Sequence, residues 1–451
     1  MTTSNAPHIL FVNPWIHDFA AFDFWARPLG LMQLIAIVRS HGISVSYLDC
    51  LNRFHPKALH LKSKQYRYGR GAYLKTQIAM PEHLTHFPRK YSRYGIPPEW
   101  FIQDLKSIKQ PDIIMITSIM TYWYPGIQET IACIRSVFKN IPIVLGGIYV
   151  RLCLPHAKKH MDADILVSDP GEISILEIIT QLTGFQTSSQ LDINQLDTFP
   201  RPAWDLQPHI PFVPLLTTRG CPFRCEYCAS GFLENHIRRR SVDHVCDEIT
   251  YWYQKFGVQD FVFYDDALLY QSERFAIPLL ERIVTNNYPV RFHTPNAIHV
   301  REITRSVAKL LFEAGFKHLR MGLETMDFAH RLDQKLTFDE FGTAIKNLKQ
   351  AGFQKQDMGA YLLIGLPDQT RKSIIQSIDC VKNNGVVPIL AYYTPIPHTK
   401  LWSKAVEASP YNIEQDPLYT NNTLFPCQPN GLEWKELSEY QAQAKSNNGV
   451  R

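Results

Sequence analysis

VPLLTTRGCPFRCEYCAS, residues 213–230, runs from an apolar, β-rich stretch straight into three cysteines, Cys221, Cys225 and Cys228. The apolar stretch is the first of six similar units. DFVFYDD (260–266), RFHTPN (291–296), HLRMGLE (318–324), MGAYLLIG (358–365) and VPILAYYTP (387–395) follow, with helix-period segments such as SVDHVCDEITYWYQKF and TFDEFGTAIKNLKQAG between them. Apolar strands alternating with amphipathic helices predict a parallel β/α arrangement. Six units across 213–400 predict a partial, TIM-like (β/α)6 barrel, whose chemistry sits at the carboxyl ends of its strands. The cysteines follow the first strand directly, so they are expected on that rim. CxxxCxxC lets one loop wrap three thiolates around a single cubane. Three thiolates hold three irons of a 4Fe–4S cluster and leave the fourth iron open to bind and transform a ligand. The other reading is a zinc site short of its fourth ligand, with His236 nearby; a strand-end loop of a barrel is poor context for it.

The rest of the chain sets the frame. A length of 451 residues is a prior for two or three domains. Hydrophobic residues at 45%, charged residues at 20% and a net charge of +5 are ordinary for a soluble globular protein, and do not argue for nucleic acid or membrane. Nine cysteines, odd in number and mostly scattered, make no disulfide framework; a reducing, cytoplasmic setting is expected. The start, MTTSNAPHILFVNPW, has no basic-then-apolar leader, and runs such as GLMQLIAIV fall short of the ~20 residues of a membrane span.

Residues 1–184 alternate strands (HILFVN, ISVSYLD, PDIIMITS, IPIVLGG, DADILVSD) with helices, including GLMQLIAIVRSHG and segments near 124–139 and 171–183. That pattern predicts a doubly wound, Rossmann-like α/β domain. An insertion at about 52–106, rich in Lys, Arg, His and Tyr, interrupts it and reads as a solvated, partly ordered surface segment, with nucleic-acid contact as the alternative. Residues 185–212, polar and then proline-rich (LDTFPRPAWDLQPHIP), read as an extended linker. Residues 401–451 read as a weakly patterned extension with a frayed end, AQAKSNNGVR.

CPFRCEYC, with an aromatic before its third cysteine, resembles the radical S-adenosylmethionine (SAM) superfamily, and the resemblance covers 213–400. It implies that the open iron chelates SAM, and that an electron from the cluster yields a 5′-deoxyadenosyl radical. It also implies roles for strand-end residues. Asp265 or Asp266 would receive the SAM ammonium, a helix N-cap being the alternative. Glu324, in the GLE strand, would accept from the ribose hydroxyls. Asn296 would face the same cavity or form a turn. Gly365 would allow close approach of adenine or make a tight turn, and Tyr227 would lie against the adenine. Tyr393 would reach substrate or pack in the core.

The N-terminal domain resembles the cobalamin-binding class of that superfamily. Ser118, in ITSIM, resembles the serine that contacts the cobalamin tail; Gly146 and Gly147 would let that tail lie along bare backbone. Beyond the carboxyl ends of the strands is where open α/β sheets bind ligands. The D-x-H-x-x-G motif that supplies a cobalt ligand is missing. Trp15 stands where its aspartate would be, His17 is an unpromising ligand, and cobalamin would bind without a protein axial ligand. The resemblance implies a cobalamin-dependent methyltransferase acting on an unactivated carbon, with a low-potential donor of flavodoxin or ferredoxin type and an unknown substrate. Alternatives are a radical rearrangement or oxidation, tRNA methylthiolation, which lacks its N-terminal cysteines here, and an iron–sulfur regulatory protein. No DNA partner is expected.

Overall fold

The computed structural model describes residues 6–58, 66–85, 87–187, 191–427 and 434–445. It divides into two compact units. One comprises Met1–Ile210 with Gln415–Tyr419, the other Pro211–Glu414 with Thr420–Arg451.

The first unit has strands β1 (His8–Asn13), β2 (Ile16–Asp18), β3 (Ser44–Asp49), β4 (Lys75–Gln77), β5 (Ser92–Tyr94), β6 (Ile113–Ile116), β7 (Ile143–Leu145) and β8 (Ile165–Leu166). Its helices are α1 (Leu29–Ser40), α2 (Pro98–Ser107), α3 (Tyr124–Val137), α4 (Ile148–Leu152), α5 (Leu154–His160) and α6 (Gly171–Thr183). Five strands form a parallel sheet in the order β3-β1-β6-β7-β8, the doubly wound order that the alternation predicts. Strands β1, β6 and β7 are buried throughout, as strands covered on both faces must be.

The expectation of a solvated insertion at 52–106 needs correcting. Its Tyr94 and Tyr73 form an apolar cluster with Ile16 and Leu51, and β5 pairs antiparallel with both β2 and β4 in a second small sheet. Its tyrosines and Phe101 supply the buried area that its charge pattern conceals. Part of the basic run, residues 60–65, lies outside the described residues, as do 188–190 of the polar stretch before the prolines. The prolines do not run free. Ala203 donates its backbone N–H to Met32 of α1 at 3.1 Å, Gln33 donates to the Pro200 carbonyl at 2.7 Å, and Trp204 is buried.

The second unit has strands β9 (Val213–Leu215), β10 (Thr218–Arg219), β11 (Arg238–Arg239), β12 (Asp260–Phe263), β13 (Arg291–His293), β14 (Phe316–Glu324), β15 (Met358–Ile364) and β16 (Val387–Tyr392). Its helices are α7 (Ser230–Leu233), α8 (Val242–Phe256), α9 (Ala276–Asn286), α10 (Arg305–Glu313), α11 (Phe338–Ala351), α12 (Arg371–Asn383), α13 (Trp402–Ala408) and α14 (Trp434–Lys445). Six strands run parallel in the order β16-β15-β14-β13-β12-β9, so the barrel is partial and open. Phe261, Phe263, Phe292 and Phe316 stack within it at centroid spacings of 5.4–5.9 Å. Capping follows local chemistry: Ser241 accepts from the His244 N–H, Thr337 and Glu340 form a reciprocal box, and Gly257 and Gly352 end their helices left-handed.

The tail is better ordered than its sequence promises. In α14, Leu437, Tyr440 and Ala444 are buried on one stripe, against β16 and α12. Residues 446–451 of the expected frayed end lie outside the described residues. No helix among the described residues is long and apolar enough to cross a membrane.

Candidate active site

The cysteine loop is closed at its base by a two-residue ribbon, with Thr218 opposite Arg239 and Arg219 opposite Arg238. Gly220 turns into the loop at φ 83°; a Cβ there would meet the His236 carbonyl oxygen at 2.5 Å, so TRGC needs its glycine. Glu226 anchors the middle, donating to the Leu332 carbonyl at 3.0 Å and accepting from the Leu401 N–H at 2.9 Å. Cys228 N–H returns to the Cys225 carbonyl at 3.1 Å.

None of the three thiols is in a disulfide: Cys225 is buried, Cys221 half-buried and Cys228 exposed. Burial pushes the thiols of Cys221 and Cys225 up, Cys225 to about 11, while the Lys335 ammonium pulls both down. Among the described residues no three His, Cys, Asp or Glu side chains converge on a single ion.

The floor of the site is a buried charged group. Glu324 ends β14 at φ 64°, a left-handed conformation that costs a non-glycine residue energy. Its carboxylate folds back over Gly322, where a Cβ would come within 2.9 Å of Oε1, which accounts for the glycine of GLE. Lys335 Nζ lies 3.3 Å from Glu324 Oε1 and 5.6 Å from the centroid of the Tyr227 ring. Burial raises the carboxyl of Glu324 and Lys335 opposes that. The Tyr227 hydroxyl donates to Asp333 at 3.3 Å, and Asp333 is held by Arg331 at 3.0 Å. Phe223 packs on buried His299 at 4.4 Å, where burial and then Lys335 lower the imidazole to about 3, so it is neutral.

The two aspartates after β12 do different things. Asp265 is buried and accepts from Thr217 Oγ1 at 2.6 Å, Thr218 N at 2.6 Å and Thr217 N at 3.1 Å, fastening β12 to the root of the cysteine loop. Burial lifts its carboxyl to about 6 and these bonds hold it from rising further. Asp266 is exposed and accepts from Ser230 Oγ at 2.9 Å; Ser230 in turn meets the Cys228 sulfur at 3.3 Å. Asn296 is exposed and donates to the Tyr264 carbonyl at 2.7 Å, joining two strand ends. Gly365 has φ 91°, its N–H donates to Gln369 at 2.7 Å, and its Cβ direction is filled by the Phe425 ring at 2.6 Å. Those contacts explain the glycine without any ligand. Tyr393 is buried in the core.

In the first unit, Ser118, Gly146 and Gly147 do meet. Ser118 Oγ donates to the Gly146 carbonyl at 2.6 Å. A Cβ on Gly147 (φ 98°) would strike the Ser118 carbonyl oxygen at 2.3 Å, whereas one on Gly146 would meet only Val167, at 3.6 Å. Exposed Met120 and Ile148 flank them. The neighbouring ends of β1 and β3 are closed: Asn13 bonds Asp49 at 2.7 Å, and buried Asp23 pairs with Arg53 at 2.8 Å and Arg27 at 3.2 Å. Trp15 is core, donating to the Ile96 carbonyl at 2.7 Å. His17 is committed to Glu129 at 2.6 Å.

Lys335, Asp333, His299, Ser230 and the Thr217–Thr218 pair escape a reading of the sequence. Ser230 is hinted at by its place two residues after Cys228; Lys335 sits in a polar loop with no spacing that ties it to Glu324.

Residues 215–381 match the model of the Radical SAM superfamily. An uncharacterized methyltransferase of Pyrococcus horikoshii is 25% identical over 346 residues, covering 69% of this chain and 74% of its own. A cytidylyl-2-hydroxyethylphosphonate methyltransferase of Streptomyces wedmorensis is 19% identical over 422 residues, covering 80% and 73%. The radical SAM methyltransferase TsrM of Kitasatospora setae, solved with cobalamin and a [4Fe-4S] cluster bound, superposes with a TM-score of 0.65 at 15% identity, over 90% of this chain and 76% of that one. At that identity the superposition speaks for the fold.

Proposed function

We propose, on the premise that residues 215–381 are a radical SAM domain, that this enzyme methylates an unactivated carbon with the help of cobalamin held by its N-terminal unit. The chain is a radical SAM enzyme, and its domain uses a 4Fe–4S cluster and SAM. When bound, the cluster supplies the electron that splits SAM to a 5′-deoxyadenosyl radical, and cobalamin supplies a methyl-carrying cobalt.

The protein's own residues hold, orient and shield. Cys221, Cys225 and Cys228 take three irons. Asp266, exposed beside the third thiol and accepting from Ser230 at one oxygen, would accept from the SAM ammonium. Glu324 accepts from the ribose hydroxyls, fixed by Lys335. Asp265 is the strut behind the loop, and Asn296 lines the rim. In the first unit, the bare backbone at Gly146 and the Ser118 hydroxyl offer the tail of cobalamin a polar track at the carboxyl edge of the sheet. His17 is held by Glu129 and would not be one of the residues that hold the cofactor.

The observation that carries this reading is the charge arrangement at the third thiol: a thiol, a carboxylate joined to it through Ser230 and a buried Glu–Lys pair around one loop. Methyltransferase names among the relatives support the reaction class. Electrons come from a low-potential flavodoxin- or ferredoxin-type donor, in the cytoplasm.

Anaerobic reconstitution with iron, sulfide and hydroxocobalamin tests the reading. Iron, cobalt and 5′-deoxyadenosine are measured in the wild type and in Cys221→Ala/Cys225→Ala/Cys228→Ala. Deoxyadenosine formed by the triple variant refutes the radical assignment. A wild type that retains no cobalt, or a product without the mass of one methyl group, removes the methyl transfer and leaves the radical chemistry.

A further inference from the structure

We propose that Lys335 is the positioning residue of this site and its fixed counter-charge: it pins Glu324 and offsets the negative charge of Cys225 and Cys228. The inference rests on the cluster and SAM reading above. Its support is the placement of the ammonium.

Lys335 Nζ and Glu324 Oε1 are 3.3 Å apart, and the two side chains are only 15% and 9% exposed. A buried carboxylate held in a strained backbone conformation needs a partner, or it protonates or moves. The nearby guanidinium of Arg331 makes its hydrogen bonds to Asp333 and the Thr325 carbonyl, so the ion pair of Glu324 is with Lys335. Lys335 also faces the cysteine loop: its Nζ lies 5.6 Å from the centroid of the ring of Tyr227, the residue directly before Cys228.

The loop that carries Lys335 is anchored at several points. Leu336 is buried, Lys335 N–H donates to Asp333 at 3.0 Å, and the Leu332 carbonyl takes the Glu226 N–H from within the cysteine loop. One backbone contact thus fixes the distance between the cation and the thiols. A fixed positive charge beside an iron–sulfur cluster favours its reduced, more negative form, and so raises the potential. A lysine suits the task because its ammonium is a compact point charge on a long stem.

Reconstituted wild type, Lys335→Met and Lys335→Arg are compared by iron content, EPR-monitored redox titration of the cluster without SAM, and equilibrium dialysis with labelled SAM. The expected result is full iron in all three. In Lys335→Met the midpoint potential falls and SAM binds about tenfold more weakly or worse; Lys335→Arg recovers the potential. An unchanged potential in iron-loaded Lys335→Met overturns the proposal. Should Lys335→Met fail to load iron, Lys335→Met/Glu324→Gln, which leaves no unpaired buried carboxylate, is titrated instead. A lowered potential there supports the proposal, and a wild-type potential overturns it. A wild type that takes up no iron refutes the reading of the site itself, a failure separate from any difference between variants.

Discussion

Asp265→Ala should cost far more than Asp265→Asn, and the difference follows from who bonds to whom. Alanine strands three buried donors: Thr217 Oγ1 and Thr218 N, each at 2.6 Å, and Thr217 N at 3.1 Å. At about 1–2 kcal/mol for each unsatisfied donor, the loss is about 3–5 kcal/mol. Asparagine keeps Oδ1, which accepts from all three, and forfeits only the longer 3.2 Å contact of Oδ2. It also removes an ionisation that the fold resists. The folded carboxyl sits at about 6 against an ordinary 3.8. A raised acid in the folded state contributes stability that is whole below pH 3.8 and is lost as pH rises through about 6. Relative to Asp265→Asn, the wild type should therefore lose about 2 kcal/mol between about pH 4.5 and pH 7. Asparagine should be within about 1 kcal/mol of wild type at neutral pH. Urea denaturation of the apoprotein at both pH values measures this, and iron uptake reports whether the cysteine loop is still rooted. Equal stability of Asp265→Ala and wild type, or a gap that moves the other way with pH, refutes the reasoning. Asp265→Asn losing SAM while Asp266→Asn keeps it would exchange the roles given to the two residues.

Gly147→Ala should destabilise the first unit by about 2–4 kcal/mol, since its Cβ would sit 2.3 Å from the Ser118 carbonyl at a positive φ, and a thermal melt reads this directly. Gly146→Ala, with Val167 no nearer than 3.6 Å, should melt like wild type and bind cobalamin less well; wild-type cobalamin retention in a bulkier Gly146→Val that still folds would remove Gly146 from the cofactor's path. Gly365→Ala forces a side chain against Phe425, and should lower the melting temperature of the second unit whether or not SAM is present. His17→Ala should cost about 1 kcal/mol, because Glu129 keeps Arg93 at 2.7 Å, and should leave the absorption spectrum of bound cobalamin unchanged.

Much of the architecture is legible in the sequence because parallel strands between helices leave continuous apolar runs, and those runs need only local reading. The helix at 171–183 and the strand at 8–13 fall where periodicity puts them. The ribbon closing the cysteine loop, the small sheet of β2, β4 and β5, and the helix at 434–445 do not show themselves, because each depends on a partner far along the chain.

Spacing alone determined that three thiols share a loop after a strand, since eight residues allow them no other neighbourhood. Their places at strand ends, set beside the resemblance to the radical SAM superfamily, made Asp265, Asp266 and Glu324 candidates. Which aspartate is bonded into the backbone and which stays exposed was decided only in three dimensions. Adjacent residues leaving a strand point to opposite sides, so Asp265 turns into the backbone of Thr217 and Thr218 while Asp266 reaches Ser230 beside the third thiol. Lys335 reaches Glu324 across a loop of eleven positions for the same kind of reason: backbone contacts fold that loop onto the cysteines, and no local pattern records it.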